Sequence, residues 1–203
     1  MARRTREDAE RTRQDILDAA FRTFTQKGFM RTTLNDIARA AGVTRGAVYW
    51  HFKDKVDLFM VLCDAIESEA GVRPRDVEAD RLQSLDDLKE ELLKYLAHFE
   101  KKDRYAVFYE MVNYRTEYTE ELQPVLDRQL STHRGILEKL KEIFDRLKGK
   151  AQVRPDLDPS RAALSLIALV VGITAIWLID PAAFPDSDAV PSILDDHLNA
   201  LKP

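Results

Sequence analysis

The sequence predicts an all-α protein of nine helices, and three observations carry that prediction. Apolar residues recur at helical spacing through most of its 203 residues, with no useful run of the alternation that marks a strand. Charged residues make up 33% of the chain against only 7 Gly and 8 Pro, a composition that suits helices better than sheets and tight turns. Helix-start signals, an Asp, Ser or Thr followed three residues on by Asp or by an early Pro, stand before several of the periodic runs.

Taken in order, residues 1–12 are expected as an Arg-rich, mobile arm, and the first helix follows with Ile16, Leu17, Ala20, Phe21 and Phe24 inward. Lys27 and Gly28 close it, a cation in the last turn and a residue suited to a left-handed cap. Thr33 and Asp36 form a capping box for a short second helix with Leu34, Ile37, Ala38 and Ala41 on one face. Gly42 and Val43 make a sharp corner, and Thr44 caps a third helix to about Phe52. Asp54 and Asp57 open the fourth, which buries Val56, Phe59, Cys63 and Ile66.

Periodicity fades over 71–84, where Pro74 stops or kinks a helix, and this stretch is expected as a linker. Ser84 caps a fifth helix, Asp103 opens a sixth, and a long seventh runs from about Glu120 to Lys148, with Pro124 a possible kink and Gly149 its stop. Asp158 and Pro159 start an eighth that reaches Asp180, and the ninth covers about Val190 to Leu201. Residues 162–179 are 18 positions without a formal charge, at the lower limit for a membrane span. Ser165, Gly172 and Thr174 dilute that stretch, so it is read as a helix buried on nearly all sides that also serves an interface, with no membrane partner.

The net charge is −4, yet residues 1–55 hold 12 Lys or Arg against 7 Asp or Glu, a local +5 that leaves −9 for the rest. A basic end on an acidic body is the footprint of one module that meets phosphate and another that does not. Cys63 is the sole cysteine, so no intrachain disulfide can form, and the N-terminal residues lack the apolar run of a secretory signal. A cytoplasmic protein is expected. The four histidines, His51, His98, His133 and His197, stand far apart, with no metal-binding spacing and no phosphate-binding glycine loop. Neither an enzyme nor a metal or cofactor site is expected.

The chemistry concentrates at 33–55. At about 100° per residue, Arg45, Gly46, Tyr49 and Trp50 share an arc of about 140° while Ala47 and Val48 face away. A short helix that turns Arg, Tyr and Trp outward needs a partner for them. The second helix of a helix-turn-helix finds that partner in the major groove of double-stranded DNA. Arg45 is the base-reading candidate, since a guanidinium binds guanine O6 and N7 at two points. Gly46 lets the backbone approach closely, Thr33, Tyr49, Trp50 and Lys55 suit phosphates or thymine methyls, and Asn35 is placed to reach a base edge.

Residues 12–59 carry the pattern T-x-x-x-I-A-x-x-A-G-V-x-x-G-x-x-Y-x-H-F-x-x-K, which resembles the N-terminal domain of TetR-type transcriptional regulators. It is most similar to the AcrR and TtgR branch, which represses multidrug efflux genes; the segment 109–122, YEMVNYRTEYTEEL, is also similar to that branch. The resemblance implies that Thr33, Thr44, Arg45, Gly46, Tyr49, Trp50, His51 and Lys55 match positions that contact operator DNA, although helical projection points His51 inward. It also implies a helix-turn-helix DNA-binding domain over 1–55, and over 56–203 a helical domain with a ligand pocket and a dimer interface from the last two helices. The function implied is a repressor that releases its operator when a hydrophobic or aromatic small molecule binds; regulation of lipid or aromatic metabolism is the alternative.

A cavity for such an effector wants aromatic walls and a few polar anchors. Phe99, Tyr109, Met111, Val112, Asn113, His133, Val171, Thr174 and Trp177 are the candidate lining, and each also reads as ordinary core. Two helices from each subunit, the eighth and ninth, would build a four-helix bundle with two-fold symmetry. Such a homodimer sets its heads about one DNA turn apart, on a roughly palindromic operator.

Overall fold

The computed structural model describes residues 6–74, 76, 78–117 and 119–203, and among these the chain is helical throughout, with nine α-helices and no strand. The helices are α1 (Arg6–Lys27), α2 (Leu34–Ala40), α3 (Arg45–His51), α4 (Lys55–Ala70), α5 (Leu85–Glu100), α6 (Arg104–Tyr114), α7 (Gln123–Gly149), α8 (Pro159–Ile179) and α9 (Ala189–Asn199). They form two compact units: residues 1–70 with 104–128, and residues 71–103 with 129–203.

In the first unit α1 packs on α2, α3, α4 and α6. Its centre is an aromatic cluster, with the rings of Phe24, Phe29 and Phe59 at centroid distances of 5.5, 5.1 and 5.0 Å and Phe108 of α6 at 5.8 Å from Phe59. Around it Ile16, Leu17, Ile37, Val48, Leu58, Leu62, Ile66 and Met111 are almost wholly buried. Burying one such side chain contributes about 1.5–3 kcal/mol, so this small unit rests on its apolar faces rather than on helix propensity. Cys63 lies in the same core, and burial pushes its thiol up to about 12, so it is chemically inert.

In the second unit α5 packs on α8 and α9. Ile143, Phe144, Leu147, Leu88, Ala163 and Leu166 fill one cluster, while Leu96, Val170, Ile173 and Leu194 fill another.

The start signals hold. Thr33, Ser84 and Asp158 accept from the backbone N–H groups of Asp36, Asp87 and Arg161 at 3.1, 3.0 and 3.0 Å, and Asp54 accepts from Asp57 at 2.8 Å.

Several expectations are corrected. Residues 6–12 of the expected arm are helical and belong to α1, with Glu7 and Asp8 in its first turn; residues 1–5 lie outside the described set. The linker expected over 71–84 includes positions 75 and 77, also outside it, and contains a short 3₁₀ turn at Ala79–Arg81. Pro124 does not kink the seventh helix: a 3₁₀ turn at Glu120–Leu122 precedes α7, and the proline sits in the first turn, where its missing N–H costs nothing. Gly149 is the last residue of α7, where a stop was expected, but it does not take the left-handed conformation. The left-handed residue is Ala151 (φ 53°), with Gln152 N donating to Leu147 O and Ala151 N to Lys148 O, both at 3.0 Å.

The eighth helix is not buried on nearly all sides. Only 33% of its apolar window is buried, and Leu164, Val171, Ile176 and Ile179 form an exposed stripe. By length and composition α8 would also pass as a membrane span.

Candidate nucleic-acid interface

Two capped helices and one corner build the candidate interface. At the start of α2, Thr33 Oγ1 accepts from Asp36 N, and Asp36 Oδ2 accepts from Thr33 N at 3.0 Å. Lys27 Nζ reaches Asp36 Oδ1 at 3.0 Å and ties α1 to this cap. The Thr33 hydroxyl and then Lys27 hold the Asp36 carboxyl well below the usual carboxylate range. At the other end Gly42 takes φ 68°, with Val43 N donating to Ala38 O at 3.0 Å and Gly42 N to Arg39 O at 3.2 Å. This left-handed closure turns the chain so that Thr44 begins α3 within two residues.

Thr44 Oγ1 accepts from Ala47 N at 3.1 Å, which leaves its hydroxyl proton to donate outward. Val48, fully buried, pins the inner face of α3. The outer face carries Arg45, Gly46, Tyr49 and Trp50, all exposed; Trp50 keeps 72% of its surface, far more than packing allows a tryptophan. Arg45 is not loose: one terminal guanidinium nitrogen donates to Tyr49 Oη at 3.0 Å, and its Cζ lies 5.2 Å from the Tyr49 ring centre. A Cβ on Gly46 would meet nothing closer than Thr44 Oγ1 at 3.9 Å, so nothing inside the protein demands glycine there.

Thr33 and Asn35 are exposed at the start of α2. His51 is half-buried, edge-on to Trp50 with centroids 4.5 Å apart, as helical projection indicates. Lys55 stands apart from the exposed set: its Nζ donates to Phe29 O at 3.3 Å, lies 4.1 Å from the Phe29 ring centre and is 3.7 Å from Glu121.

The candidate effector-lining residues divide between the units. Tyr109, Met111, Val112 and Asn113 belong to the first, where Met111 and Val112 are core, Tyr109 is half-buried and Asn113 is exposed with its side chain donating to Tyr109 O at 3.0 Å. Phe99, His133, Val171, Thr174 and Trp177 belong to the second. There Phe99 and Thr174 are buried, Thr174 donates to Val171 O at 2.9 Å, Trp177 packs on Phe184 at 4.9 Å, and His133 and Val171 are exposed. Among the described residues no three His, Cys, Asp or Glu side chains gather as a metal site.

Sequence reasoning passed over Arg104 and Arg128. Arg128 bonds Glu67 and Asp64, and Arg104 bonds Asp18, partners 61 to 86 positions away, and no local pattern announces such pairs.

Comparison with known proteins places this geometry. Residues 16–62 match the model of bacterial regulatory proteins of the tetR family, and residues 84–203 match that of the BetI-type transcriptional repressor C-terminal domain. The chain is 34% identical over 185 residues to the HTH-type transcriptional regulator AcrR of Shigella flexneri, covering 91% of this chain and 86% of that one. It superposes on NalD, the secondary repressor of the MexAB-OprM multidrug efflux pump in Pseudomonas aeruginosa, with a TM-score of 0.83 and 34% identity over 97% of this chain and 98% of that one. A complex of SmeT, the repressor of the Stenotrophomonas maltophilia efflux pump SmeDEF, with triclosan superposes with a TM-score of 0.79 and 28% identity over 95% and 92% of the two chains. The chain therefore belongs to the tetR family of DNA-binding transcriptional regulators.

Proposed function

We propose that this protein is a cytoplasmic repressor of multidrug efflux genes and that it leaves its operator when a hydrophobic or aromatic small molecule binds its C-terminal part. The observation that carries the proposal is the outer face of α3, where Arg45, Tyr49 and Trp50 stand exposed on a helix fixed by Thr44 and Val48. The efflux-pump repressors to which the whole chain is similar supply the regulated class and the kind of effector. Arg45 reads a guanine, Asn35 a second base edge, and Thr33, Thr44, Tyr49 and Trp50 settle the head on phosphates and methyl groups, with Gly46 admitting the backbone and His51 and Lys55 behind them.

Residues 1–55 act as the DNA-binding domain and 56–203 as the ligand-binding and dimerisation domain. Phe99, Tyr109, Met111, Val112, Asn113, His133, Val171, Thr174 and Trp177 are assigned to the effector site. Leu164, Ile176 and Ile179 on the exposed face of α8, with the neighbouring α9, form the homodimer interface, which supports a roughly palindromic operator.

Titration of triclosan into the complex of the protein with DNA from upstream of its own gene tests this reading. A fall in operator affinity of about 5–150-fold at saturation, the usual range of allosteric coupling, is expected. An unchanged affinity with triclosan demonstrably bound contradicts it.

A further inference from the structure

The first unit is discontinuous in sequence, and the segment that completes it runs from Arg104 to Arg128. Both terminal residues of that segment are arginines, and each grips carboxylates of the N-terminal helices. Arg104 donates to Asp18 of α1 at 2.8 Å, lies 3.8 Å from Glu69 of α4 and covers the Phe21 ring at 4.7 Å. Arg128 makes the stronger grip. Its two terminal nitrogens meet the two oxygens of Glu67 at 2.8 and 2.5 Å, and Asp64 accepts at 2.8 and 3.2 Å, with the Arg128 side chain only 15% exposed.

Asp64 and Glu67 lie three residues apart on α4, one helical turn, so without a cation between them they repel. Burial works against the Arg128 charge, but the hydrogen bonds from Glu67 and Asp64 more than reverse that and hold the guanidinium protonated. The grip is thus stable when closed and self-repelling when open. A two-armed guanidinium fork suits such a joint, because it fixes direction as well as distance. Arg128 is also the last residue of the segment, in the second turn of α7, and α7 continues unbroken to Gly149.

We propose that Arg128 is the joint by which α7 positions α4, so that a movement of α7 is delivered to the DNA-reading unit through Asp64 and Glu67. This rests on the reading of the protein as an effector-released repressor. Arg128 is a positioning residue: it acts on DNA only through α4.

The full-length protein tests this with three variants: Arg128→Met removes the charge, Arg128→Lys keeps the charge without the fork, and Arg128→Glu combined with Glu67→Arg reverses the pair. Two readouts are taken, hydrogen exchange of α4 amides without ligand and the ratio of operator affinities without and with saturating triclosan. In Arg128→Met the α4 amides exchange at least tenfold faster, triclosan affinity stays within about threefold of wild type, and the release ratio falls at least about fivefold. Arg128→Lys falls between, and the reversed pair recovers most of the ratio. A structural brace alone would speed exchange and leave the ratio intact, and that result overturns the proposal. So does unchanged exchange in Arg128→Met, which needs no ligand, and so does a reversed pair that folds but restores nothing. A wild type that binds triclosan and keeps its operator overturns the functional reading instead, and the proposal with it.

Discussion

Arg45 gathers most of the specificity argument into one side chain. Its guanidinium is already held by Tyr49 at 3.0 Å, so less side-chain freedom is lost when it meets a base. Arg45→Ala is expected to cost about 1–3 kcal/mol in discrimination between the operator and a copy with the contacted guanine replaced, read by competition binding. Loss of affinity equal for both DNAs would mark Arg45 as a phosphate contact. Asp36 supplies a pH signature. Its carboxyl titrates lower folded than unfolded, so its stabilisation is complete above the unfolded value of about 3.9 and is lost as pH falls below it. Thermal unfolding of wild type and Asp36→Asn should therefore differ by a constant amount above about pH 5 and converge in more acid solution. Ala151 offers a test of backbone strain. With φ at 53°, Ala151→Gly is expected to raise stability by about 0.5–1 kcal/mol in denaturant unfolding, since glycine takes that conformation without a Cβ clash.

Helices were legible in the sequence where their signals are local. The caps at Thr33, Thr44, Ser84 and Asp158 and the corner at Gly42 depend on residues within four positions, and all are present. The end of α7 at Gly149 was legible but its closure was not, because glycine is only the commonest left-handed residue, and here that conformation falls two positions later on an alanine. The full burial expected of α8 failed for another reason: an apolar sequence does not distinguish a helix packed within its own chain from one that waits for a second subunit. Its exposed stripe yields a prediction. Leu164→Glu with Ile176→Glu places carboxylates where the proposed interface would bury them, which should weaken the dimer at least about 100-fold by sedimentation while the fold survives. Unchanged sedimentation would move the interface elsewhere.

At the scale of the molecule, charge and packing divide the chain differently. The net positive charge is confined to the first 55 residues, whereas packing joins those residues to α4, α6 and the start of α7 through Phe59, Phe108 and Met111. The exposed face of α3 was legible because exposure of Arg45, Tyr49 and Trp50 follows from helical geometry alone. The grips of Arg104 on Asp18 and of Arg128 on Asp64 and Glu67 were not, because they join residues 61 to 86 positions apart. The candidate effector-lining residues illustrate the same limit: periodicity finds apolar faces, and core and cavity wall share that signature.

The central claim, that the α3 face reads a particular DNA sequence, is tested most directly by competition at about 0.15 M salt. DNA from upstream of the protein's own gene competes there with a scrambled duplex of equal length and composition. The account predicts a preference of at least about 1,000-fold for the natural sequence, as specific regulators show over non-specific DNA. Equal affinity for the two, falling steeply and alike with salt, would reduce the head to a phosphate-binding surface and contradict it.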